Sequence, residues 1–388
     1  MKVTQVCIGK FHHFHLARYL HTMDALTSIF TGYPWFRLRA EGLPRSKVKT
    51  LPWLQAPFMA RKSRPLISSP KLDRNWAWHS AQFLDWYAKQ RLPECDAVVS
   101  LSSTGLGVGA KAKRNGYRFV CDRGSSHISF QDDLLREEHA LWNLEWQGVD
   151  PRIIDKELQE YELADIVTVP SEFVYNSFVS SGYAPERLRK IPYGGRLDRF
   201  QRVSKPKPDN FRVLYVGSIS LRKGFLYLLQ AFERLNHPRK ELQVIGPMSE
   251  QVRKLLPRFT IDSVQFLGRV PNEKLPQYYS EAHAFALPSL EEGLAMVQGE
   301  ALACGCPVIA TDHTGGADLF DDGQEGFIVP IRSVDALAER IQLLADDPAL
   351  RTRMSLAAEQ RVKKIGGWDT YGHSYYEFLQ ELTKEVAI

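Results

Sequence analysis

Short apolar runs alternate along the whole chain with stretches of helical periodicity. In the first half, Val3–Ile8, Ala97–Leu101, Arg118–Cys121 and Ile166–Val169 read as buried strands, and Ile153–Leu163 and Ser171–Ser180 as helices. The second half repeats the theme with Arg212–Val216, Leu242–Ile245, Val264–Leu267, Ala284–Leu287, Pro307–Ala310 and Gly326–Val329. Such alternation predicts parallel, doubly wound sheets, and right-handed crossovers then put ligands at the carboxyl ends of the strands. Between the halves, Gly194–Asn210 combines glycines, charges and two prolines, the signature of a linker. Past Gly366 and Gly367 helical periodicity resumes. The expected organisation is two Rossmann-like domains facing a cleft, residues 1–195 and 196–367, with a terminal helix over 368–388 packing back on the first.

Composition narrows the class. A chain of 388 residues exceeds one ordinary core, and 44% hydrophobic with 24% charged residues is the balance of a soluble globular protein. No apolar run approaches the roughly 20 residues that span a bilayer, and "MKVTQVCIGKFHHF" reads as a first strand rather than a signal peptide. Five cysteines without zinc spacing point to a reducing cytoplasm. In "CGCP", Gly305 is expected to end a helix in the left-handed conformation while Pro307 stops its continuation. The net charge of +5 is uneven: residues 1–100 hold 15 Lys+Arg against 6 Asp+Glu, the remainder 35 against 39. The basic surplus keeps company with Trp35, Phe36, Trp53, Phe58, Trp76, Trp78, Trp86 and Tyr87. That mixture suits an anionic surface, whether membrane or polyanion, and equally a solvated face over ordinary core aromatics; the partner expected is an anionic membrane contacted peripherally, and no nucleic acid.

The candidate chemistry concentrates in "SLEEGLAMVQGEALACGCPVIATDHTGG", Ser289–Gly316. With a strand ending at Leu287 and a helix starting near Leu294 or Ala295, Glu292 stands just before the helix. Glu300 stands about one turn beyond Met296, roughly 6 Å along the axis. Amides near Leu294, Ala295 and Met296 then lie between two carboxylates, an arrangement suited to a phosphate. Lys223, in "RKG", is a cation expected at a helix start, where the dipole disfavours it and a phosphate partner favours it. In the first half, Gly9 permits a tight turn and close approach of a ligand. His12, His13 and His15 invite a metal hypothesis, but useful carboxylate or thiolate spacing is absent nearby, so a polar contact to sugar or acceptor is the better expectation. "DRGSSH" puts His127 after a strand end, with Asp122 and Arg123 able to pair with each other.

The segment from Glu292 through Val308 resembles the donor-site signature of the retaining glycosyltransferases of family 4, which have the GT-B fold. "IPYGGRLDRF", "LYVGSISLRKGFLYLLQAF", "FLGRVPNEKLPQYYSEAHAFALPS" and "TGGADLFDDGQEGFIVP" extend the likeness over about Asp165–Pro330. The resemblance implies a nucleotide-sugar donor in the second domain and a glycan or lipid-linked acceptor in the first. It implies that Glu292 contacts the donor sugar, Glu300 the ribose and Lys223 the diphosphate, and that His127 lies near the reaction centre. Retention would follow from attack on the leaving-group face, with a donor phosphate oxygen taking the acceptor proton. The setting implied is bacterial surface-polysaccharide or lipopolysaccharide assembly. No D-x-D pair is present, so neither a divalent metal nor another cofactor is expected. Two departures stand out. Lys10 replaces a second glycine in the first turn, and Ser218 follows Gly217 where the family carries arginine. Arg222 could supply the missing charge with a fork suited to phosphate oxygens. The competing readings are a sugar-nucleotide epimerase or phosphorylase on the same fold, and a non-catalytic nucleotide-sugar-binding protein.

Overall fold

The computed structural model describes residues 1–62 and 70–384. The first sheet contains β1 (Val3–Cys7), β2 (Leu26–Thr31), β3 (Val48–Thr50), β4 (Ala97–Leu101), β5 (Arg118–Asp122), β6 (Ile166–Val169) and β7 (Leu188–Lys190), in the order β3-β2-β1-β4-β5-β6-β7. The second contains β8 (Phe211–Val216), β9 (Lys240–Ile245), β10 (Val264–Gly268), β11 (Ala284–Leu287), β12 (Val308–Thr311) and β13 (Gly326–Val329), in the order β10-β9-β8-β11-β12-β13. Every pairing in both sheets is parallel. Parallel sheets need crossover helices that bury both faces, which is why the central strands read as unbroken apolar runs rather than alternating ones.

Three strands carry no such run. β2 lies inside a mixed segment, "LTSIFT". β3 and β7 are three-residue edge strands whose middle residues, Lys49 and Arg189, are exposed. Edge strands are commonly kept short and charged, so their hydrophobic signal is weak.

Each sheet carries a core on both faces. Val3, Leu16, Ile29, Val99 and Val120 fill one side of the first sheet. Val6, Phe30, Val98, Phe119 and Val167 fill the other. The terminal helix Trp368–Lys384 joins the first of these cores through Tyr371, Tyr375, Phe378, Leu379 and Leu382. Its Gly372 lies against Tyr19, where a β-carbon would overlap the ring, and the Tyr375 hydroxyl sits 2.9 Å from Thr168 Oγ1. The chain thus crosses between sheets twice, at Gly194 and at Gly367, which are in backbone contact.

Strand order fixes where a ligand belongs. In the first sheet the connections diverge at β1 and β4, and in the second at β8 and β11. The crevices beyond these strand ends are the topological switch points of doubly wound sheets.

Candidate functional site

Two loops of the second domain meet at its switch point. After β8 the chain passes Gly217 and Ser218 and reaches Arg222 and Lys223 just ahead of Gly224, the N-cap of the helix Phe225–Glu233. After β11 it runs irregularly through Pro288–Met296, and the next helix is the seven-residue Val297–Ala303. The expected start at Leu294 or Ala295 is therefore two to three residues early. In the loop before the helix, the amides of Glu292 and Ala295 donate to the carbonyls of His313 and Thr314, each at 3.1 Å. The first amides of a helix have no acceptor within it, so these bonds anchor the loop to its neighbour without themselves setting where the helix begins. Glu292 is no helix-start acid, and the Ala295 amide is not free for a phosphate. Leu294 and Ala295 are themselves buried, Leu294 over Gly315, whereas the Met296 methyl reaches Gly195. At the far end Gly305, at φ +67, closes the helix in the left-handed conformation.

The side chains here form a charged cluster. Lys223 Nζ is ion-paired with Glu292 Oε1, which also accepts from Ser289 Oγ at 3.1 Å. Burial first, and the Arg222 guanidinium second, lower the Lys223 pKa to about 7. The Glu291 carboxylate opposes that shift by favouring the ammonium. Arg222 Nη1 donates to Glu291 Oε2 at 3.0 Å and to the Glu291 carbonyl at 3.1 Å. Its Nη2 and Nε bond no partner among the described residues. Ser218 is exposed at the mouth, and its carbonyl accepts the Tyr215 hydroxyl at 2.7 Å. One helix away, Glu300 accepts from Tyr279 Oη at 3.1 Å, and burial pushes its carboxyl pKa up to about 7 against that bond.

Glu291, which sequence reasoning passed over, holds the centre. Fully buried, it accepts from the Ser126 amide at 3.0 Å, Ser126 Oγ at 2.9 Å and Gln131 Nε2 at 2.8 Å, all in the first domain, as well as from Arg222. Burial alone would raise its pKa; Arg222, the Ser126 amide and Gln131 outweigh burial and hold it below the ordinary carboxylate range. The next residue explains how the domains come so close. A β-carbon on Gly293 would overlap the Gly124 carbonyl, and Ser171 Oγ donates to the Gly293 carbonyl at 2.5 Å. The available signal was two adjacent acids after a buried strand in a chain that also places two adjacent cations, Arg222 and Lys223, after another.

On the first-domain side, Gly9 is covered by the ring of Phe11. Phe11 adopts φ +33 and remains 60% exposed. His12 Nε2 is bonded to Asp122 Oδ2, and His13 Nε2 lies 3.0 Å from the same oxygen, while Thr168 Oγ1 donates to Oδ1 at 2.7 Å. Burial would raise the Asp122 pKa, but the two imidazoles hold it well below the usual range. The carboxylate absent from the local sequence thus arrives from β5, 110 residues away. These three residues are the one group among those described whose donor atoms lie within 4.8 Å of one another. Both imidazole nitrogens already sit at hydrogen-bond separation from a single oxygen, closer than ligands spread around an ion. His15 is elsewhere, stacked on Trp368 at 3.8 Å. The expected Asp122–Arg123 pairing does not form; Arg123 pairs instead with Glu157 at 2.7 Å and donates to the Ser126 carbonyl at 3.0 Å.

His127 is not brought to this cluster. Its ring packs on Tyr161 and Phe178 at centroid distances of 5.3 and 4.9 Å inside the first domain, its Nδ1 is buried without a partner among the described residues, and burial lowers its pKa to about 4. The chain position after β5 matches the expectation, and the ring neighbours are Tyr161 and Phe178.

Comparisons with known proteins agree with this architecture. Residues 198–361 match the family of glycosyl transferases group 1. A GDP-mannose-dependent alpha-(1-6)-phosphatidylinositol monomannoside mannosyltransferase of Mycolicibacterium smegmatis is 29% identical over 56% of this chain and 62% of its own length. A capsular polysaccharide biosynthesis glycosyltransferase, CapM, of Staphylococcus aureus shows the same identity and the same two coverages. The chain spans between 38% and 62% of the length of the first few curated relatives it matches. Among solved structures, Anabaena HepE in complex with UDP superposes with a TM-score of 0.70 at 17% identity, over 98% of this chain and 100% of that one. The two facing sheets are the GT-B fold.

Proposed function

We propose, from the match of residues 198–361 to the family of glycosyl transferases group 1, that the chain transfers a sugar from a nucleoside-diphosphate sugar to a glycan or lipid-linked acceptor. The observation that carries this reading is the cluster at the second switch point, where two cations and two carboxylates meet beside the first domain. Lys223 and the free edge of Arg222 would take the diphosphate, Glu300 the ribose and Glu292 the sugar. A diphosphate arriving at Lys223 competes with Glu292 for the ammonium and so releases that carboxylate for sugar hydroxyls. As the leaving group departs, fixed cations in a water-poor cleft stabilise its growing charge. They do so in place of a divalent metal, and EDTA should leave turnover unchanged. We read the reaction as retaining, with a leaving phosphate oxygen accepting the acceptor proton.

The acceptor would occupy the first domain. A setting in surface-polysaccharide assembly is supported by the name of the staphylococcal relative. No helix among the described residues is long and apolar enough to cross a membrane. Trp53 is 76% exposed, and Phe36 and Trp86 are exposed too, on the basic first quarter of the chain. These side chains are our candidates for peripheral contact with an anionic membrane. A thermal-shift screen over nucleoside diphosphates and their sugars tests the donor assignment, because a ligand that binds only the folded state raises the melting temperature. A flat response across the whole panel would overturn it.

A further inference from the structure

A cavity of about 510 Å³ opens in the first domain beyond the ends of β1, β4 and β5. Its position relative to the charged cluster is fixed by one residue. Gly124 lines the cavity, lies within contact range of the His12 ring, and touches Gly293 on its other side through its carbonyl. The cavity and the Glu291–Gly293 segment are therefore separated by little more than one peptide.

Among the described residues, three with ionisable, charge-bearing side chains line this cavity: His12, Arg123 and Glu157. Arg123 and Glu157 neutralise each other at 2.7 Å, and His12 is backed by Asp122. No cation is left over among the described lining residues to hold a phosphate. The rest of the wall is of two kinds. Phe11, Phe58 and Tyr193 present aromatic carbon, and Phe11 does so at φ +33, a conformation that costs a bulky residue energy and is kept where surroundings or function require it. Ser102, Ser103, Thr104 and Ser125 present hydroxyls and backbone groups. His12 is held rigidly between these walls, with Nε2 on Asp122 and its ring stacked on Tyr193 at 4.3 Å. Its other nitrogen, Nδ1, bonds no described residue.

Resting on the sugar-transfer reading above, we propose that this cavity receives an uncharged sugar ring of the acceptor, with its C–H face on Phe11 and its hydroxyls toward His12 Nδ1 and the serines. A sugar ring has both kinds of surface, one apolar and one hydroxylated, and the charge balance of the wall disfavours a phosphate headgroup in the same place. The acceptor's docked unit is then a neutral glycoside, and any phosphate it carries lies outside the cavity.

Matched amphiphiles distinguish these chemistries. Saturation-transfer NMR is recorded on the full chain with octyl glucoside, octyl galactoside and octyl mannoside below their micelle concentrations, and with octyl phosphate. The expected result is transfer strongest at ring protons of at least one glycoside, with affinity falling about tenfold in His12→Ala and in Phe11→Ser. Octyl phosphate should give weaker transfer that neither substitution changes. Octyl phosphate binding as well as the best glycoside, or glycoside transfer indifferent to both substitutions, overturns the proposal. UDP and GDP thermal shifts on the same samples report folding and the donor site. Retained nucleotide binding with no glycoside signal sinks this inference alone, and loss of both in the wild type sinks the sugar-transfer reading with it.

Discussion

Replacing Arg222 with alanine removes the one guanidinium among the described residues that contacts the buried Glu291 carboxylate. Breaking a fully buried ion pair costs about 3–5 kcal/mol, because the remaining charge is stranded. Two features reduce that figure here. The Arg222 side chain is 37% exposed, so solvent already screens part of its charge, and Glu291 keeps its bonds from the Ser126 amide, Ser126 Oγ and Gln131. A loss of about 1–2 kcal/mol follows, or roughly 2–8 °C in melting temperature for domains of this size. The pH dependence identifies the mechanism. The folded-state pKa of Glu291 is depressed, so its stabilisation is complete above the unfolded value of about 4.3 and is lost as pH falls through the lower folded value. The gap between wild type and Arg222→Ala should thus be full at pH 6–7 and close in acid. Differential scanning fluorimetry from pH 3 to 7 measures it. A gap that is absent at neutral pH, or that widens on acidification, refutes the role assigned to the pair.

Lys223 loses its charge and Glu300 gains its own near pH 7, so nucleoside-diphosphate affinity should peak near neutrality. Glu300→Gln should abolish the rise on the acid side, and titration calorimetry across pH 5.5–8.5 would expose a rise that survives. Glu292→Gln should cut turnover on the order of 10²-fold while moving nucleotide affinity only a few-fold, the pattern of a group that acts on the sugar; equal losses in both would return Glu292 to a purely structural role. His127→Ala should lower the melting temperature, by about 1–3 kcal/mol of lost packing, and leave turnover per folded molecule unchanged; a folded variant with much reduced turnover would bring His127 back to the chemistry. Co-sedimentation with anionic vesicles should weaken with salt and with Trp53→Ser, since exposed cations near such a surface contribute about 1 kcal/mol each and are screened; indifference to anionic lipid at low salt would remove the membrane contact.

The parallel sheets were legible because buried strands such as Ala97–Leu101 and Ala284–Leu287 are apolar on both faces, whereas the edge strands Val48–Thr50 and Leu188–Lys190 were hidden by exposed Lys49 and Arg189. Loop signals were likewise local: Gly305 ends its helix as its spacing from Pro307 implies. The start of that helix was not legible, because nothing local in Leu294–Met296 marks the loop that His313 and Thr314 anchor through the amides of Glu292 and Ala295. Pairings across long separations were equally out of reach. Asp122 joins His12 rather than Arg123, and Glu291 joins Ser126 and Gln131 from the other domain, because sheet order and domain apposition decide these contacts, not sequence distance.

The proposed chemistry turns on Lys223 and Arg222 holding a sugar-bearing diphosphate poised for cleavage. Its most direct test is 31P NMR of the purified chain incubated with a panel of UDP- and GDP-sugars in EDTA, with and without the octyl glycosides. Nucleoside diphosphate is expected to be released from at least one donor, faster with a glycoside present and on the order of 10²-fold more slowly in Lys223→Ala. Release that Lys223→Ala leaves at the wild-type rate, or no release and no binding with any donor, would contradict it.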